Sequence, residues 1–293
     1  MATTAILSFV SFLDSHGAAS WNLRYVAVVS GAILMAVHVL GKKVGPDGQK
    51  KINRGGVCWD GLLHGILSGV GSSLCLYLDF FAAEEISGSP EPMRSIRCEG
   101  PLTSLHRLLP AITWGYAMVD IVDSFTLGND FLMHGTMLGA VMGTVCELGV
   151  PHTITPMLIM EVSTIPLNLT GATFLPQIAI LVAQLMFAVL FFIIRILLVP
   201  LLWARWVKTF YEEEAIEKDN VCFPHWFIYV VLVFGVLFHS LNFYCEYFVR
   251  FVFLCYGMFQ LRVGACSTKA CSQLISSFGK PGQTQGSVKL FER

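Results

Sequence analysis

Among the ionisable side chains inside otherwise apolar stretches of this 293-residue chain, ten are candidates for chemistry: His64, Asp120, Asp123, His134, Glu147, Glu161, Arg195, His239, Glu246 and Arg250. Tyr116, Asp120 and Asp123, and likewise Glu161, Thr164 and Asn168, recur at intervals of three and four, so each set lines one face of a helix. An imidazole such as His134 titrates near neutrality and can act as a general base, with Asp120 or Glu161 to orient it. Arg195, in the apolar run 191–199, requires a carboxylate, and Asp120, Asp123 and Glu161 are the candidates. The same groups have a structural use, as a polar network that fixes helix packing with Arg195 neutralising Asp120 or Glu161. Glu246 and Arg250, four apart with the acid first, read as an intrahelical pair.

The surrounding composition decides what those stretches are. Apolar residues make up 55% of the chain and charged residues 13%, about half the charge of a soluble globular protein. So little polar surface cannot cover a water-soluble body, and the fold class expected is an all-α, polytopic transmembrane bundle. An ionisable group at membrane depth costs several kcal/mol unless it faces protein or water, which makes each a candidate functional group. The two polar stripes are kept out of lipid most simply by turning both toward one cavity. That cavity is expected to hold Tyr116, Asp120, Asp123, Glu161, Thr164, Asn168, Arg195 and His64. A net charge of -1 with no long basic run argues against a nucleic-acid partner. The nine cysteines include no CxxC pair and no cluster with histidine, so neither a metal nor a cofactor is expected.

Seven spans are expected, at 24–40, 58–80, 108–127, 131–149, 151–169, 174–203 and 224–259. The fifth is the weakest, because Pro156 and Pro166 fall inside it. The domain order is then an N-terminal segment (1–23), a first helix with its loop (24–51), the main membrane domain (52–259) and a tail (260–293) whose Gly, Ser, Lys and Gln content predicts disorder. The short apolar stretch 5–13 has no basic residue before it, so no cleaved secretory signal is expected. With seven spans, ten Lys and Arg fall on the side of the 41–57 loop and the tail and seven on the other, which places the tail in the cytosol. If the fifth segment only dips in, the count becomes eight against nine and the bias disappears.

Glycines repeat every four residues at Gly61, Gly65 and Gly69, and again at Gly135, Gly139 and Gly143, giving smooth strips for close helix contact. The sequon Asn168-Leu169-Thr170 falls at a cytosolic helix end and is expected to stay unglycosylated. Cys98 and Cys222, on the two larger non-cytosolic loops, can be read either as a disulfide or as free thiols.

Several motifs resemble the TLC-domain family, multi-pass endomembrane proteins that include the ceramide synthases and the translocating-chain-associating membrane protein. Gly115-Tyr116-Ala117-Met118-Val119-Asp120 resembles its Gly-Tyr-Phe-x-x-Asp. Asp130 to His134 resembles the approach to its histidine pair, and 161–168 its Glu-Leu-Ser-Thr-Pro-Phe-Leu-Asn. The run 191–195 is similar to its next-to-last-helix arginine motif, with weaker echoes at His64 and in Leu241-Asn242-Phe243-Tyr244. The resemblance spans roughly 52–257. It implies a helical membrane fold and, for the ceramide synthases, transfer of an acyl chain from coenzyme A to a sphingoid amine with histidine as base. Here His134 is followed by Gly135, the proline of the Glu161 motif is shifted by one residue, and Cys245-Glu246 replaces an aromatic pair. These departures mark a divergent member.

The leading expectation is a protein of the endoplasmic reticulum or another endomembrane that binds a lipid in its polar cavity and serves membrane-lipid homeostasis. An acyltransferase using His134, with acyl-CoA or sphingolipid partners, is the alternative. A sorting or interaction protein acting through its tail is the third.

Overall fold

The computed structural model describes residues 8, 11–15, 17–44, 51–81, 103–127, 129–212, 229, 231–233, 235–237 and 240. The chain divides into Met1–Asn242 and Phe243–Arg293, and every described residue lies in the first unit. The seventh expected span falls mostly, and the tail wholly, outside the described residues.

Helix α1 is Leu23–Gly41, started by the Asn22 side chain, which accepts from the backbone N–H of Arg24 (3.0 Å) and Tyr25 (3.4 Å). A short antiparallel hairpin follows, β1 (Lys42–Val44) against β2 (Lys51–Asn53), with Lys43 opposite Ile52. Composition alone gave no sign of this hairpin. Gly55 and Gly56 at φ 64° and 73° then turn the chain, a left-handed conformation that glycine takes without a Cβ penalty. Helix α2 covers 59–81, in which Trp59–His64 and Gly71–Phe81 are α-helical and Gly65–Val70 between them is π-helical. Helices α3 (Ser104–Leu127) and α4 (Asn129–Glu147) are antiparallel neighbours, and α3 also packs on α1.

The fifth segment, α5 (151–169), runs the whole length of the bundle. At its start the Thr155 hydroxyl donates to the carbonyl of His106, near the N-terminus of α3 (2.6 Å). Just past its end Thr173 N–H donates to the carbonyl of Gly55 (2.7 Å), and Phe174 stacks on Trp59. Nineteen residues reach so far because most of α5 is 3-10 helix, Pro151–Thr153 and Thr155–Ser163, before an α-helical turn at Thr164–Leu169. A 3-10 helix rises about 2.0 Å per residue against about 1.5 Å for α, giving about 33 Å in all, enough for a hydrocarbon core of about 30 Å. Pro156 sits in the first turn of its helix, where no N–H is needed. Helix α6 (177–212) joins Gln177–Leu190, a second π-helical stretch at Phe191–Leu198, and Val199–Glu212.

Three of these helices are long and apolar enough to cross a membrane: Leu23–Gly41, Arg54–Phe81 and Gln177–Lys208. Helix α6 leaves Ile178, Leu181, Leu185, Ile193, Leu197 and Leu201 exposed, an apolar outer surface suited to lipid and not to water. One hydrophobic core, including Leu109, Met142, Leu158 and Trp206, joins α3, α4, α5 and α6 toward the end where α5 begins.

The glycine strips are where the spans touch. A Cβ on Gly65 would lie 2.8 Å from Thr164 Oγ1, and one on Gly69 would lie 2.6 Å from the backbone nitrogen of Val162. On α4, the same atom on Gly135 would lie 3.0 Å from the Cβ of Asp120, and on Gly143 2.9 Å from the Trp114 ring. Bare backbone on α2 thus admits α5, and bare backbone on α4 admits α3.

Candidate functional site

Close approach of α4 to α3 at Gly135 brings the preceding residue, His134, to Asp120: Nδ1 stands 3.0 Å from Oδ2. With the proton on Nδ1 donated to the carboxylate, Nε2 carries the lone pair and is the face available to a reactant. The His134 side chain is 37% exposed and that of Asp120 11%, so the pair opens outward through the imidazole.

One turn earlier on α3, Tyr116 stacks face to face on His64 of α2, with ring centroids 3.9 Å apart and planes within 5°. His64 Nε2 lies 3.3 Å from Thr113 Oγ1, which is also 3.0 Å from Ser68 Oγ. On its other side Nδ1 faces Glu161 Oε2 of α5 at 3.9 Å. Glu161 accepts from Thr164 Oγ1 at 3.1 Å, and Asn168 Nδ2 donates to the Thr164 carbonyl at 2.9 Å. Arg195 of α6 donates from Nε to Ser163 Oγ (2.9 Å) and to the Met160 carbonyl (3.3 Å), and its guanidinium lies over the Phe191 ring. Its charge acts on both Glu161 and His134. The contacts described for Arg195 are thus to the backbone and hydroxyl beside Glu161.

Ser68, Glu161 and Arg195 share a local peculiarity. Each sits where its span leaves regular α geometry, on the π-helical turns of α2 and α6 and on the 3-10 run of α5. Such departures re-aim side chains and are frequent at functional sites. Sequence periodicity, which assumes 3.6 residues per turn, carries no signal for them.

The structure divides the Tyr116, Asp120, Asp123 stripe. Tyr116 and Asp120 face the cluster just described, whereas Asp123 Oδ1 accepts from Lys42 Nζ at 2.9 Å and lies 3.4 Å from His38 Nε2. His38 Nδ1 in turn lies 3.2 Å from Asp60 Oδ2. This second group ties α1, the hairpin, α2 and α3 together at the hairpin end. Both carboxylate oxygens of Glu147 accept from Arg24, one from Nε and one from Nη2, so it belongs to an exposed ion pair between the start of α1 and the end of α4. His239, Glu246 and Arg250 lie outside the described residues, as do Cys98 and Cys222; Cys58, Cys75 and Cys146 are free thiols.

A third polar group went unread in the sequence. Asp79 on α2 and His106 on α3 are fully buried and face each other at 3.5 Å, with His152 of α5 nearby. Asp79 falls inside the expected second span, where the membrane cost of an acid was the available signal. His106 lies two residues before the expected third span, 108–127. Among the described residues no group of three or more His, Cys, Asp and Glu side chains has the geometry to hold a metal ion.

The model of the TLC domain matches residues 58–257, more than half of the chain. No curated protein and no solved structure matches it. The chain belongs to the TLC-domain family and is a multi-pass integral membrane protein.

Proposed function

We propose that this TLC-domain protein binds a membrane lipid by its head group, at the cluster of His64, Tyr116, Asp120, His134, Glu161 and Arg195, and serves membrane-lipid homeostasis in an endomembrane such as the endoplasmic reticulum. One observation carries the reading: polar side chains from four spans and the α6 arginine converge, with His64, Asp120 and Glu161 buried and Tyr116, His134 and Arg195 half-buried. Two carboxylates, a guanidinium, imidazoles and a phenol offer both donors and acceptors, as a polar head group requires, while the apolar helix faces receive the chain. Thr164 and Asn168 support Glu161 from the same helix. Asp123 acts from the neighbouring hairpin-end group. In this reading the tail, 260–293, faces the cytosol.

The His134–Asp120 pair favours a second reading, acyl transfer with acyl-CoA as donor and a sphingoid or related amine as acceptor. Asp120 would fix the tautomer and orientation of the imidazole, and Nε2 would take the proton of the attacking amine and pass it to the coenzyme A thiolate that leaves as the thioester C–S bond breaks and the amide forms. The lone imidazole where ceramide synthases carry two weighs against it. A sorting role would rest on the tail, 260–293, which lies outside the described residues.

Purified protein should be extracted for lipid mass spectrometry and, in parallel, supplied with coenzyme A thioesters and sphingoid bases. Binding predicts a lipid of restricted head-group class retained in near-stoichiometric amount and no N-acyl product. Steady formation of N-acyl product that depends on His134 would establish the second reading.

A further inference from the structure

Where α2 ends and α3 and α5 begin, polar groups converge that the head-group site does not use. Ser72, Cys75 and Asp79 sit at i, i+3 and i+7 on one face of α2, and each is fully buried. From α3, His106 points Nε2 at Asp79 Oδ2 across 3.5 Å, longer than a good hydrogen bond, while its Nδ1 is held at 2.8 Å by Thr103 Oγ1. From α5, His152 completes the group. It is 2% exposed and lies near enough to His106, Arg107 and Asp79 for their charges to act on it.

Several of these atoms are left unsatisfied. Both ring nitrogens of His152 and Oγ of Ser72 are buried with no hydrogen-bond partner among the described residues, and Nε2 of His106 has only the long approach to Asp79 and the neighbouring Cys75 thiol. A buried donor or acceptor left so costs about 1–3 kcal/mol, and native proteins satisfy more than about 90% of such groups, with ordered water where protein atoms do not reach. The side chains do not have metal-holding geometry. Burial on all sides excludes a bulky solute. What fits is a small, neutral molecule that both donates and accepts.

We propose that Ser72, Asp79, His106 and His152 bind ordered water, in a buried hydrated site distinct from the head-group cluster. The water bridges His152 to the Asp79–His106 pair and so fastens the start of the 3-10 segment α5 to the ends of α2 and α3. That start has few other polar anchors: the Thr155 hydroxyl on the His106 carbonyl is the principal one described.

Hydroxyl-radical footprinting of the full-length protein in detergent, read by mass spectrometry, tests this directly, because radiolysis of bound water labels side chains that bulk solvent cannot reach. The chain carries its own control. Cys75 is 0% exposed at the edge of the main hydrophobic core, against His106, and Cys146 is 7% exposed in a second apolar cluster with Leu23 and Ala111. Two thiols of equal intrinsic reactivity should label in order of exposure if the region is dry. The expected result is several-fold faster oxidation of Cys75 than of Cys146, with His106 and His152 labelled as well, and loss of that excess in His152→Phe. Oxidation of Cys75 at or below the rate of Cys146 in the unsubstituted protein would overturn the proposal without reliance on any variant. An excess at Cys75 that persists unchanged in folded His152→Phe would also overturn it.

Discussion

His134 and Asp120 meet at 3.0 Å across α4 and α3, and the glycine that follows His134 is what lets them. A Cβ at position 135 would come within 3.0 Å of both the Asp120 Cβ and the Ile121 nitrogen. The position at which ceramide synthases carry their second histidine is, in this fold, a helix contact with no space for a ring.

Gly135→Leu should therefore separate α4 from α3 and break the pair without removing a polar atom. Overpacking of this kind costs about 1–3 kcal/mol. The expected outcome is a lower thermal unfolding midpoint in detergent together with reduced lipid retention, and Gly149→Leu, whose Cβ meets nothing within 4 Å, should leave lipid retention intact despite the strain of its positive φ.

His64→Ala should cost more than a surface change. It removes the stack on Tyr116, worth about 0.5–1.5 kcal/mol beyond burial, and leaves Glu161 without its facing imidazole and Thr113 with one partner fewer, at about 1–3 kcal/mol for a buried group left unsatisfied. His64→Phe keeps the stack but not the nitrogens, so its unfolding midpoint is expected to fall between those of the unsubstituted protein and His64→Ala.

Helical spacing picked out Tyr116, Asp120, Glu161 and Arg195 because the cost of charge in lipid acts on single residues and can be read without a structure. Spacing also grouped Asp123 with Asp120, and there it misled. A face of α3 does not say which neighbour covers it, and Lys42 reaches Asp123 from a hairpin that apolar counting treats as featureless loop. His38, Asp60 and Asp79 fall inside the expected first and second spans and obey the same membrane rule, so they were legible but unread. The reach of α5 was not legible: its prolines signal weak α-helix, and only the longer rise of the 3-10 form lets so short a segment run the length of the bundle.

His134→Ala should fold, since the imidazole is partly exposed. In the binding reading the variant keeps its fold but retains less lipid, because the imidazole is one of the proposed head-group contacts. Loss of an N-acyl product in this variant, with expression and lipid content intact, would instead identify the imidazole as the base in proton transfer.

The sequon asparagine is built into the end of α5, where its Nδ2 donates to the Thr164 carbonyl and its side chain packs at Gly61. Together with the proposed cytosolic placement of that end, this predicts no glycan. Treatment with a glycosidase should leave mobility unchanged in both the unsubstituted protein and Asn168→Gln; a shift present only in the former would reverse the proposed orientation.

The proposed head-group site is reached most directly by photo-crosslinking. A phospholipid or sphingolipid carrying a diazirine on its head group, incorporated with the full-length protein in vesicles and activated by light, reports by peptide mass spectrometry which residues the head group touches. Binding at the polar cluster predicts crosslinks concentrated around His134 on α4 and Met160–Thr164 on α5, and competed by excess unlabelled lipid of the same head group. Crosslinks confined to the ends of the spans and the outer face of α6, with none at either segment, would contradict it.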